Sequence, residues 1–514
     1  MNKHEIPPGG ARLMVGFDGV EATEELGELL LETGARSVIL FTRNLVDAAQ
    51  AQELIAGIRE LVPWPLLIAI DQEGGCVVRL TRGVTVFPGN MALGAAGDPS
   101  LALAQGRESG RQLSAIGVDL NLAPVVDLQT NPRNPGIGIR SFGSHRAQAL
   151  ALARAYIDGH MEEGVGCCLK HFPGKGAASV DAHIDLPVLD LPVEEFRDPH
   201  IEIFRDLCEG REDIALMSTH IVVKGLDGEN PATFSRAVMH GLLREELGFR
   251  GLSIADDLEM GAIAKYHEVP EAALRAAAVG HDLVPICHSS EAQRAAAQAL
   301  QRGLSEGSLD PEEHRAACAR IAAFSARSRG GPLVDPSEGD RLAAEIAQRA
   351  VHLFADPQGL LPIQGEQSLL VLATEPFSVV GVEEEAEQDF AGMLKRLFAS
   401  PRSGLTEVRT LGAELNEEGV GELLEAAKGF DRVVLMTWNA LGISAQRFLL
   451  EEFSRNLRDR LVVVHSRNPF DQIFVPNGVT ALTAFGYRIG QFEAIAAVLL
   501  GRARAQAPFP AEWK

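Results

Sequence analysis

Eight short apolar runs, rich in β-branched residues, recur through the N-terminal part of this 514-residue chain with amphipathic segments between them. Short apolar runs bounded by turn residues are typical of buried strands. The runs lie at residues 13–17, 37–41, 66–70, 118–126, 165–169, 214–217, 252–255 and 283–287. Strands that alternate with helices pair in parallel. Eight of them over about 250 residues or more predict a (β/α)8 barrel of the TIM type, although a doubly wound open sheet would show the same alternation.

The length of the chain and a breaker cluster indicate a second domain. A chain of this length exceeds what one hydrophobic core supports, so two or three domains are expected. Gly, Ser, Arg and Pro cluster at 327–332, which is typical of a domain boundary. A helix is predicted over 339–354, followed by strands at 368–373, 432–437, 461–465 and 479–484. We therefore predict a barrel domain over residues 1–330 and a smaller α/β layered domain, with its connecting linker, over residues 331–514.

Charge and cysteine content limit the classes of partner. The chain has 47 Lys and Arg against 70 Asp and Glu, a formal charge of −23, which disfavours binding to nucleic acid or to an anionic membrane. No run approaches the apolar length of about 20 residues that spans a bilayer, and residues 1–10 lack the apolar core of a secretory signal. The six cysteines lack C-x-x-C spacing, which predicts reduced, mostly buried thiols and a cytoplasmic protein. No metal or cofactor is predicted.

The densest group of chemically capable residues follows the fifth run. Residues 170–176 read Lys-His-Phe-Pro-Gly-Lys-Gly, and residues 181–183 read Asp-Ala-His. In a parallel α/β protein, the loops at the carboxyl ends of the strands carry the chemistry. The alternative is a charged surface loop. We favour a functional loop because the glycines permit a tight non-helical path and Asp-x-His can place a carboxylate beside an imidazole.

Further polar residues follow the other predicted strands. They are Asp71, Glu73 and Arg79 after the third run, Asp127 and Arg140 after the fourth, His220 after the sixth, and Asp256 and Asp257 after the seventh. In a barrel these positions converge on one rim. Acidic and cationic groups at one mouth suit carbohydrate chemistry, in which one carboxylate acts as nucleophile, a second group moves a proton, and Arg, Lys and Asp hold hydroxyls.

Each of these residues also has a structural interpretation. Asp71 could be a solvated acid at a strand end, and Arg140 could belong to a surface ion pair. For Asp257 we favour a cap on the next helix, because Asp is preferred at that position. His220 fits a hydrogen-bonded core histidine as well as a site residue.

In these motifs the chain resembles the bacterial β-N-acetylglucosaminidases of glycoside hydrolase family 3. The resemblance rests on segments 70–75, 134–143, 170–174, 181–183 and 255–258 in the barrel and, less specifically, on 350–354, 361–362, 467–471 and 485–487 beyond it. Three positions depart from the family pattern: Cys76 stands where Arg is usual, Lys175 where His is usual, and His288 where Asn is expected. These departures concern substrate preference and the loop shape rather than the reaction class.

The resemblance implies roles for eight residues. Asp256 matches the nucleophile that forms a covalent glycosyl-enzyme, His183 the general acid/base, and Asp181 its orienting partner. The residues that match those holding N-acetylglucosamine in the −1 subsite are Asp71, Arg79, Arg140, Lys170 and His171. In the family's β-glucosidases the acid/base is a carboxylate elsewhere, so the Asp-x-His pair indicates the N-acetyl branch.

The resemblance therefore implies a retaining exo-β-N-acetylglucosaminidase that acts on small or oligosaccharide substrates from recycled muropeptides. A carboxylate beside an imidazole favours its protonated form, so such a pair can donate a proton at neutral pH and take it back from water. Three alternatives stay open at this point. They are a phosphorylase that uses phosphate in place of water, a β-glucosidase of the same family, and a non-catalytic sugar-binding protein.

Overall fold

The structure, a computed structural model, describes residues 8–325, 327–328, 330–379, 383, 389–399, 403–413 and 415–512. The strands in this part of the chain are β1 (Leu13–Val15), β2 (Ser37–Leu40), β3 (Leu67–Ile70), β4 (Leu120–Asn121), β5 (Gly166–Phe172), β6 (Val188–Leu189), β7 (Ala215–Ser218), β8 (Val222–Val223), β9 (Leu252–Ile254), β10 (Val284–Ile286), β11 (His352–Ala355), β12 (Leu369–Thr374), β13 (Thr406–Leu411), β14 (Arg432–Thr437), β15 (Leu461–His465) and β16 (Thr480–Thr483).

The predicted barrel is confirmed. Eight parallel strands pair in the order β10-β1-β2-β3-β4-β5-β7-β9, and a parallel bridge between Ile254 and Leu283 joins the two ends of this sheet. Each of the eight predicted runs overlaps one of these strands, and β5 and β7 extend beyond their runs to Phe172 and Ser218. The run at 118–126 gives only the two residues of β4, although single backbone hydrogen bonds to the neighbouring strands continue at Leu122 and Ala123. A pair of two-residue strands that sequence did not predict, β6 and β8, lies outside the barrel.

Helices connect the barrel strands on the outside. The α-helices are Glu24–Thr33, Ala48–Glu60, Asn90–Ala96, Pro99–Ile116, Arg146–Glu162, Val193–Phe196, Glu202–Cys208, Gly261–Ala264, Val269–Ala278, Ser290–Glu306 and Pro311–Phe324, with π-helical turns at Arg197–Ile201 and Ala237–Glu246. Several start at side-chain caps: the Asp47 carboxylate, for example, accepts a hydrogen bond from the Gln50 N–H at 3.0 Å. Such a cap satisfies a backbone donor that has no partner inside the helix and fixes where the helix begins.

Alternation along the strands separates the barrel interior from its outer shell. In β3, Leu67 and Ala69 pack in the cluster inside the barrel, whereas Ile68 and Ile70 pack against the surrounding helices. Successive side chains of a strand point to opposite faces, so a fully apolar strand fills both layers. The barrel floor is therefore solid, and the charged residues of the barrel strands, such as Lys170 in β5, lie near the carboxyl ends of the strands.

The C-terminal part forms a second, six-stranded sheet with the order β11-β16-β15-β14-β12-β13. Its α-helices are Ser337–Ala350, Phe390–Ala399, Glu417–Ala427, Ser444–Asn456 and Ile489–Leu499. The four predicted strands are present as β12, β14, β15 and β16. The helix predicted over 339–354 ends at Ala350. The last residues of the predicted range belong instead to the antiparallel edge strand β11. The opposite edge strand, β13, was not predicted. Its polar residues are interspersed with apolar ones and most of the strand is half-buried, so it contains no apolar run that sequence analysis could detect.

The second sheet domain contacts loops of the barrel mouth. Arg488 Nε donates to the Gly75 carbonyl at 2.6 Å, and the Ser144 N–H donates to the Pro510 carbonyl at 3.1 Å. A Cβ on Gly143 would lie 2.1 Å from the Pro510 oxygen, so only glycine permits this approach. These contacts support the loops that follow β3 and β4. No helix in the described part of the chain is long and apolar enough to cross a membrane.

Candidate active site

The loops at the carboxyl ends of the barrel strands enclose a cavity of about 450 Å³. Seven of the eight predicted site residues line this cavity: Asp71, Arg79, Arg140, Lys170, His171, His183 and Asp256. The eighth residue, Asp181, lies behind His183 and is hydrogen-bonded to it. The structure thus brings the whole predicted set together, and the catalytic and binding roles of its members stay predictions.

A buried network of ion pairs forms one wall of the cavity. Lys170 Nζ lies 2.7 Å from Asp71 Oδ1 and 2.6 Å from Glu73 Oε1. Arg140 donates two hydrogen bonds to the same Glu73 carboxylate, from Nε to Oε2 at 3.0 Å and from Nη2 to Oε1 at 2.8 Å. Arg79 Nη2 lies 3.7 Å from Asp71 Oδ2. Asp71 and Arg140 are both buried, so the surface interpretations considered for them are wrong.

Glu73 is the residue of this network that the sequence places at the rim but to which no role is assigned. Burial acts to raise the pKa of Glu73, but the Arg140 guanidinium and the Lys170 ammonium outweigh it and lower the pKa to about 2. For Lys170, burial acts to lower the pKa, and the neighbouring Asp71 and Glu73 carboxylates raise it. Both groups are therefore charged at neutral pH. The signal was present in the sequence, since Glu73 follows Asp71 in the same glycine-rich motif.

His171 is held by Asp127. His171 Nδ1 lies 2.8 Å from Asp127 Oδ2, and the Asp127 carboxylate also accepts the backbone N–H groups of His171 at 3.0 Å and Lys175 at 2.7 Å. Burial, together with the nearby positive charges, lowers the pKa of His171 well below its usual value, so the ring is neutral. A neutral ring that donates from Nδ1 has Nε2 as its acceptor nitrogen.

Asp181 and His183 form the predicted pair. His183 Nδ1 lies 2.8 Å from Asp181 Oδ1, and the His183 backbone N–H donates to the same oxygen at 3.1 Å. Burial acts to raise the pKa of Asp181, but the hydrogen bond and charge of His183 lower it to about 2. Asp181 is thus an anion that orients the ring and leaves Nε2 as the nitrogen available to a ligand.

The loop that carries this pair is docked on the segment that follows Asp256. The Ala262 N–H donates to the Ala182 carbonyl at 3.0 Å, and Tyr266 Oη donates to Asp185 Oδ1 at 2.6 Å. A Cβ on Gly261 would lie 2.6 Å from the His183 carbonyl oxygen. Gly261 therefore permits the close approach that brings His183 into the same cavity as Asp256.

Asp256 lies just beyond the end of β9 and is partly exposed to the cavity. Its Oδ1 accepts the Asp257 backbone N–H at 3.0 Å. Burial acts to raise the pKa of Asp256, but nearby positive charge, that of Lys175 foremost, lowers it. The result is a carboxylate that is ionised at neutral pH and faces the cavity, which is the state that a nucleophile requires.

Asp257 does not cap a helix, so that interpretation is wrong. The next helix begins at Gly261, with Met260 at its N-cap. The Asp257 carboxylate instead accepts the Glu259 N–H at 3.2 Å and lies 3.5 Å from His288 Nε2 at the cavity edge. His220 is a buried, hydrogen-bonded histidine: its Nδ1 lies 2.7 Å from Thr233 Oγ1, and its Nε2 lies 2.9 Å from the Asp257 carbonyl.

Two of the three positions that depart from the family pattern, Lys175 and His288, line the cavity. Cys76 is buried outside the lining. The lining also contains Arg43 and Glu259, which sequence reasoning missed because neither belongs to a recognised motif. Among the described residues, no group of three or more His, Cys, Asp or Glu side chains is arranged to hold a metal ion.

Comparisons with known proteins agree with this geometry. Residues 11–324 match the glycosyl hydrolase family 3 N-terminal domain. The chain is 37% identical to a "Beta-hexosaminidase" of Glaesserella parasuis, over 54% of this chain and 81% of that protein. Its structure is similar to a "glycoside hydrolase family 3 beta-N-acetylglucosaminidase" of Paenibacillus, with a TM-score of 0.91, 33% identity and coverage of 98% of both chains. "Beta-glucoside phosphorylase BglX" shares the fold, with a TM-score of 0.82, 23% identity and coverage of 99% of this chain and 94% of that one.

Proposed function

This chain belongs to glycosyl hydrolase family 3, and we propose that, as a glycoside hydrolase of the β-hexosaminidase type, it removes terminal β-linked N-acetylglucosamine with retention of configuration. The observation that carries the proposal is the presence of an ionised Asp256 and the hydrogen-bonded Asp181–His183 pair at one cavity. The similarity along the whole chain to a β-N-acetylglucosaminidase supports the choice of sugar.

The proposed reaction has two displacements. Asp256 attacks the anomeric carbon while His183 Nε2–H protonates the departing oxygen, and a covalent glycosyl–Asp256 ester forms. His183, now neutral, then takes a proton from water as the water oxygen attacks the same carbon, and the Asp256 carboxylate is released. A histidine in this role avoids the repulsion that a second carboxylate would have with Asp256.

We assign the wall of the cavity to the terminal sugar. The carboxylate of Asp71 and the ammonium of Lys170 can bond sugar hydroxyls, Arg79 and His171 can supply further polar contacts, and Arg140 holds Glu73 in place beneath them. The cavity volume falls within the range of about 300–1,000 Å³ that is typical of small-molecule sites. The packed barrel floor closes the inner end, which favours exo-action on a chain terminus.

We also propose the setting of the reaction. The barrel over residues 1–330 supplies the cavity, and the domain over 331–514 supports its loops. The substrate is a small saccharide that carries N-acetylglucosamine, such as a recycled muropeptide in the cytoplasm, and neither nucleic acid nor a membrane is a partner. All six cysteines are free and buried, which is compatible with a reducing compartment.

Release of 4-nitrophenol from the aryl β-N-acetylglucosaminide, with and without phosphate and beside the β-glucoside, tests the function. We expect phosphate-independent cleavage that favours the N-acetyl substrate. A sugar 1-phosphate product would make the protein a phosphorylase, and preference for the glucoside would make it a β-glucosidase. A folded protein that binds N-acetylglucosamine but cleaves neither substrate would be a sugar-binding protein.

His183→Ala tests the acid role. General acid catalysis contributes about 10²–10⁴-fold where the leaving group needs a proton. We therefore expect a loss of that size for a disaccharide, whose leaving oxygen is poor, and a much smaller loss in the first step for the 2,4-dinitrophenyl glycoside. Equal losses in the rate of the first step for both substrates would contradict the role. Single-turnover measurement separates this step from hydrolysis of the ester, which also uses His183.

Gly261→Ala tests the docking of the loop that carries the pair. The added methyl group would overlap the His183 carbonyl, so we expect the loop to be displaced and the variant to reproduce the leaving-group dependence of His183→Ala. Gly241→Ala is the matched control, because a Cβ there meets nothing within 4 Å. The proposal for Gly261 fails if a folded Gly261→Ala variant loses activity equally on both leaving groups or keeps full activity on the disaccharide.

A further inference from the structure

Lys175 is a buried ammonium with no protein partner in the described part of the chain. The residue is 6% exposed and lines the catalytic cavity, yet Nζ has no hydrogen bond or ion pair within 4.0 Å among the described residues. Lys170, in the strand β5 that precedes this loop, has two carboxylates within 2.7 Å. The backbone of Lys175 is fixed, since its N–H donates to Asp127 and its carbonyl accepts from Asn134 Nδ2 at 2.7 Å. The origin of the side chain is therefore fixed at the cavity, and its ammonium has no counter-ion in contact.

An unpaired charge at low exposure is costly, because water is removed and no anion replaces it. Burial lowers the pKa of Lys175, and the charge of Asp256 acts to raise it. The other carboxylates of the cavity have partners of their own. Asp71 binds Lys170, Asp257 lies near His288, and Glu259 accepts the backbone N–H groups of His288 and Ser289. Asp256 is thus the main compensation for Lys175.

That compensation is lost during the proposed reaction. Formation of the glycosyl ester converts the Asp256 carboxylate into a neutral group, so the positive charge of Lys175 is least balanced when the second reactant must enter. Asp127 and Asp181 still act on Lys175 from outside the lining, but a cavity whose ammonium has lost its main counter-charge favours an anion over a neutral molecule at this stage. A neutral alcohol or water molecule gains nothing comparable from this charge.

We propose that Lys175 forms an oxyanion-binding subsite in the catalytic cavity and determines the specificity for a reactant that carries such a group. The proposal rests on the function proposed above and adds the chemical class of the second reactant. The oxyanion has two possible sources, a carboxylate on the leaving group or free inorganic phosphate. For phosphate, an oxygen of HPO₄²⁻ bonds to the anomeric carbon, the bond to Asp256 breaks with its electron pair returning to the carboxylate, and the phosphate proton passes to His183.

The first measurement is anion binding without turnover. Isothermal titration calorimetry with inorganic phosphate and sulfate is applied to the wild type and to Asp256→Asn, which removes the carboxylate charge as the ester does, each alone and combined with Lys175→Met, Lys175→Arg or the surface control Lys224→Met. We expect binding that is strongest with Asp256→Asn, weakens at least tenfold when Lys175→Met is added, is largely kept with Lys175→Arg and is unchanged with Lys224→Met. In the Asp256→Asn background, binding that a folded Lys175→Met protein keeps in full, or no binding up to about 50 mM anion, overturns the proposal.

The second measurement distinguishes the two sources. A sugar 1-phosphate product that depends on Lys175 identifies free phosphate as the reactant. A preference for the 4-carboxyphenyl over the phenyl glycoside that Lys175→Met abolishes identifies the leaving-group carboxylate, with phosphate then only a competitive inhibitor. A third measurement needs only the wild type and so decides the proposal even if Lys175→Met does not fold. If the bound anion does not compete with a neutral aryl substrate, the proposal is overturned.

The outcomes for the subsite and for the function are separable. If the wild type cleaves no aryl β-N-acetylglucosaminide but binds phosphate through Lys175, the proposed function fails and the subsite stands. If the wild type cleaves the aryl substrate and anion binding is independent of Lys175, the function stands and the subsite fails.

Discussion

Asp256→Ala is expected to reduce kcat/KM on the aryl β-N-acetylglucosaminide by on the order of 10⁴-fold or more, because loss of the nucleophile removes the covalent route altogether. A factor of 10⁴ corresponds to about 5.5 kcal/mol of transition-state stabilisation. The variant should still fold, since the Asp256 side chain is partly exposed and its hydrogen bond is with the adjacent Asp257 N–H, although loss of the charge that compensates Lys175 should lower its stability.

Chemical rescue makes this test specific for the nucleophile. In Asp256→Ala, azide can enter the space of the missing carboxylate and attack the anomeric carbon directly, which gives the α-glycosyl azide by a single inversion. Asp190→Ala, at a highly exposed side chain outside the cavity lining, is the matched control and should keep wild-type rates. Asp256→Ala that retains more than about a tenth of the wild-type rate, or gives a β-azide, would contradict the assignment of Asp256.

Glu73→Gln is expected to destabilise the fold by about 3–5 kcal/mol, because it leaves the buried Arg140 and Lys170 charges without their shared anion. The matched control is Glu162→Gln, which removes the anion of an exposed pair with Arg107 and should cost less than about 1 kcal/mol. Urea denaturation at pH 7, followed by circular dichroism, measures both. A Glu73→Gln effect no larger than that of Glu162→Gln would show that the network contributes little.

The pH dependence of stability has a defined sign. The pKa of Glu73 is about 2 in the folded protein against an ordinary value of 4.5, so the unfolded chain binds more protons between these values. The stabilisation by Glu73 is therefore fully present above about pH 4.5 and is lost as the pH falls towards 2. We expect the difference in the free energy of unfolding between wild type and Glu73→Gln to shrink as the pH falls through this interval. The measurement covers the part of the interval in which both proteins are folded. A difference that grows on acidification would contradict the direction of the shift.

The fold was largely predictable because its signals are local. Each barrel strand lies in or next to a short run of apolar residues, and the alternation with helices specifies parallel pairing. The errors fall where local signals are weak. β13 is a half-buried edge strand with alternating polar residues, and β11 was assigned to the preceding helix because His352–Ala355 has no breaker before it. Edge strands pack on fewer neighbours and so carry less of the apolar pattern that sequence reasoning detects.

The candidate site was predictable as a set of residues but not as a set of contacts. The motifs identified Asp71, Lys170, His183 and Asp256, and the barrel topology implied that they share one mouth. The interpretation of Asp257 as a helix cap failed because the helix starts later than the local pattern suggested. Glu73 belongs to a recognised motif, but nothing in its local sequence shows that Arg140, 67 residues away, binds it with two hydrogen bonds.

The sequence by itself therefore determined the strands, the parallel barrel and the family of chemistry, since these depend on hydrophobic periodicity and on short motifs. The tertiary structure decided which charges compensate one another. Lys170 and Asp71 are 99 residues apart in the chain and 2.7 Å apart in space, whereas Lys175, five residues beyond Lys170, has no such partner among the described residues. The energy of a charge depends on the distance to its counter-ion and on the water removed around it, and both are set only when the barrel closes.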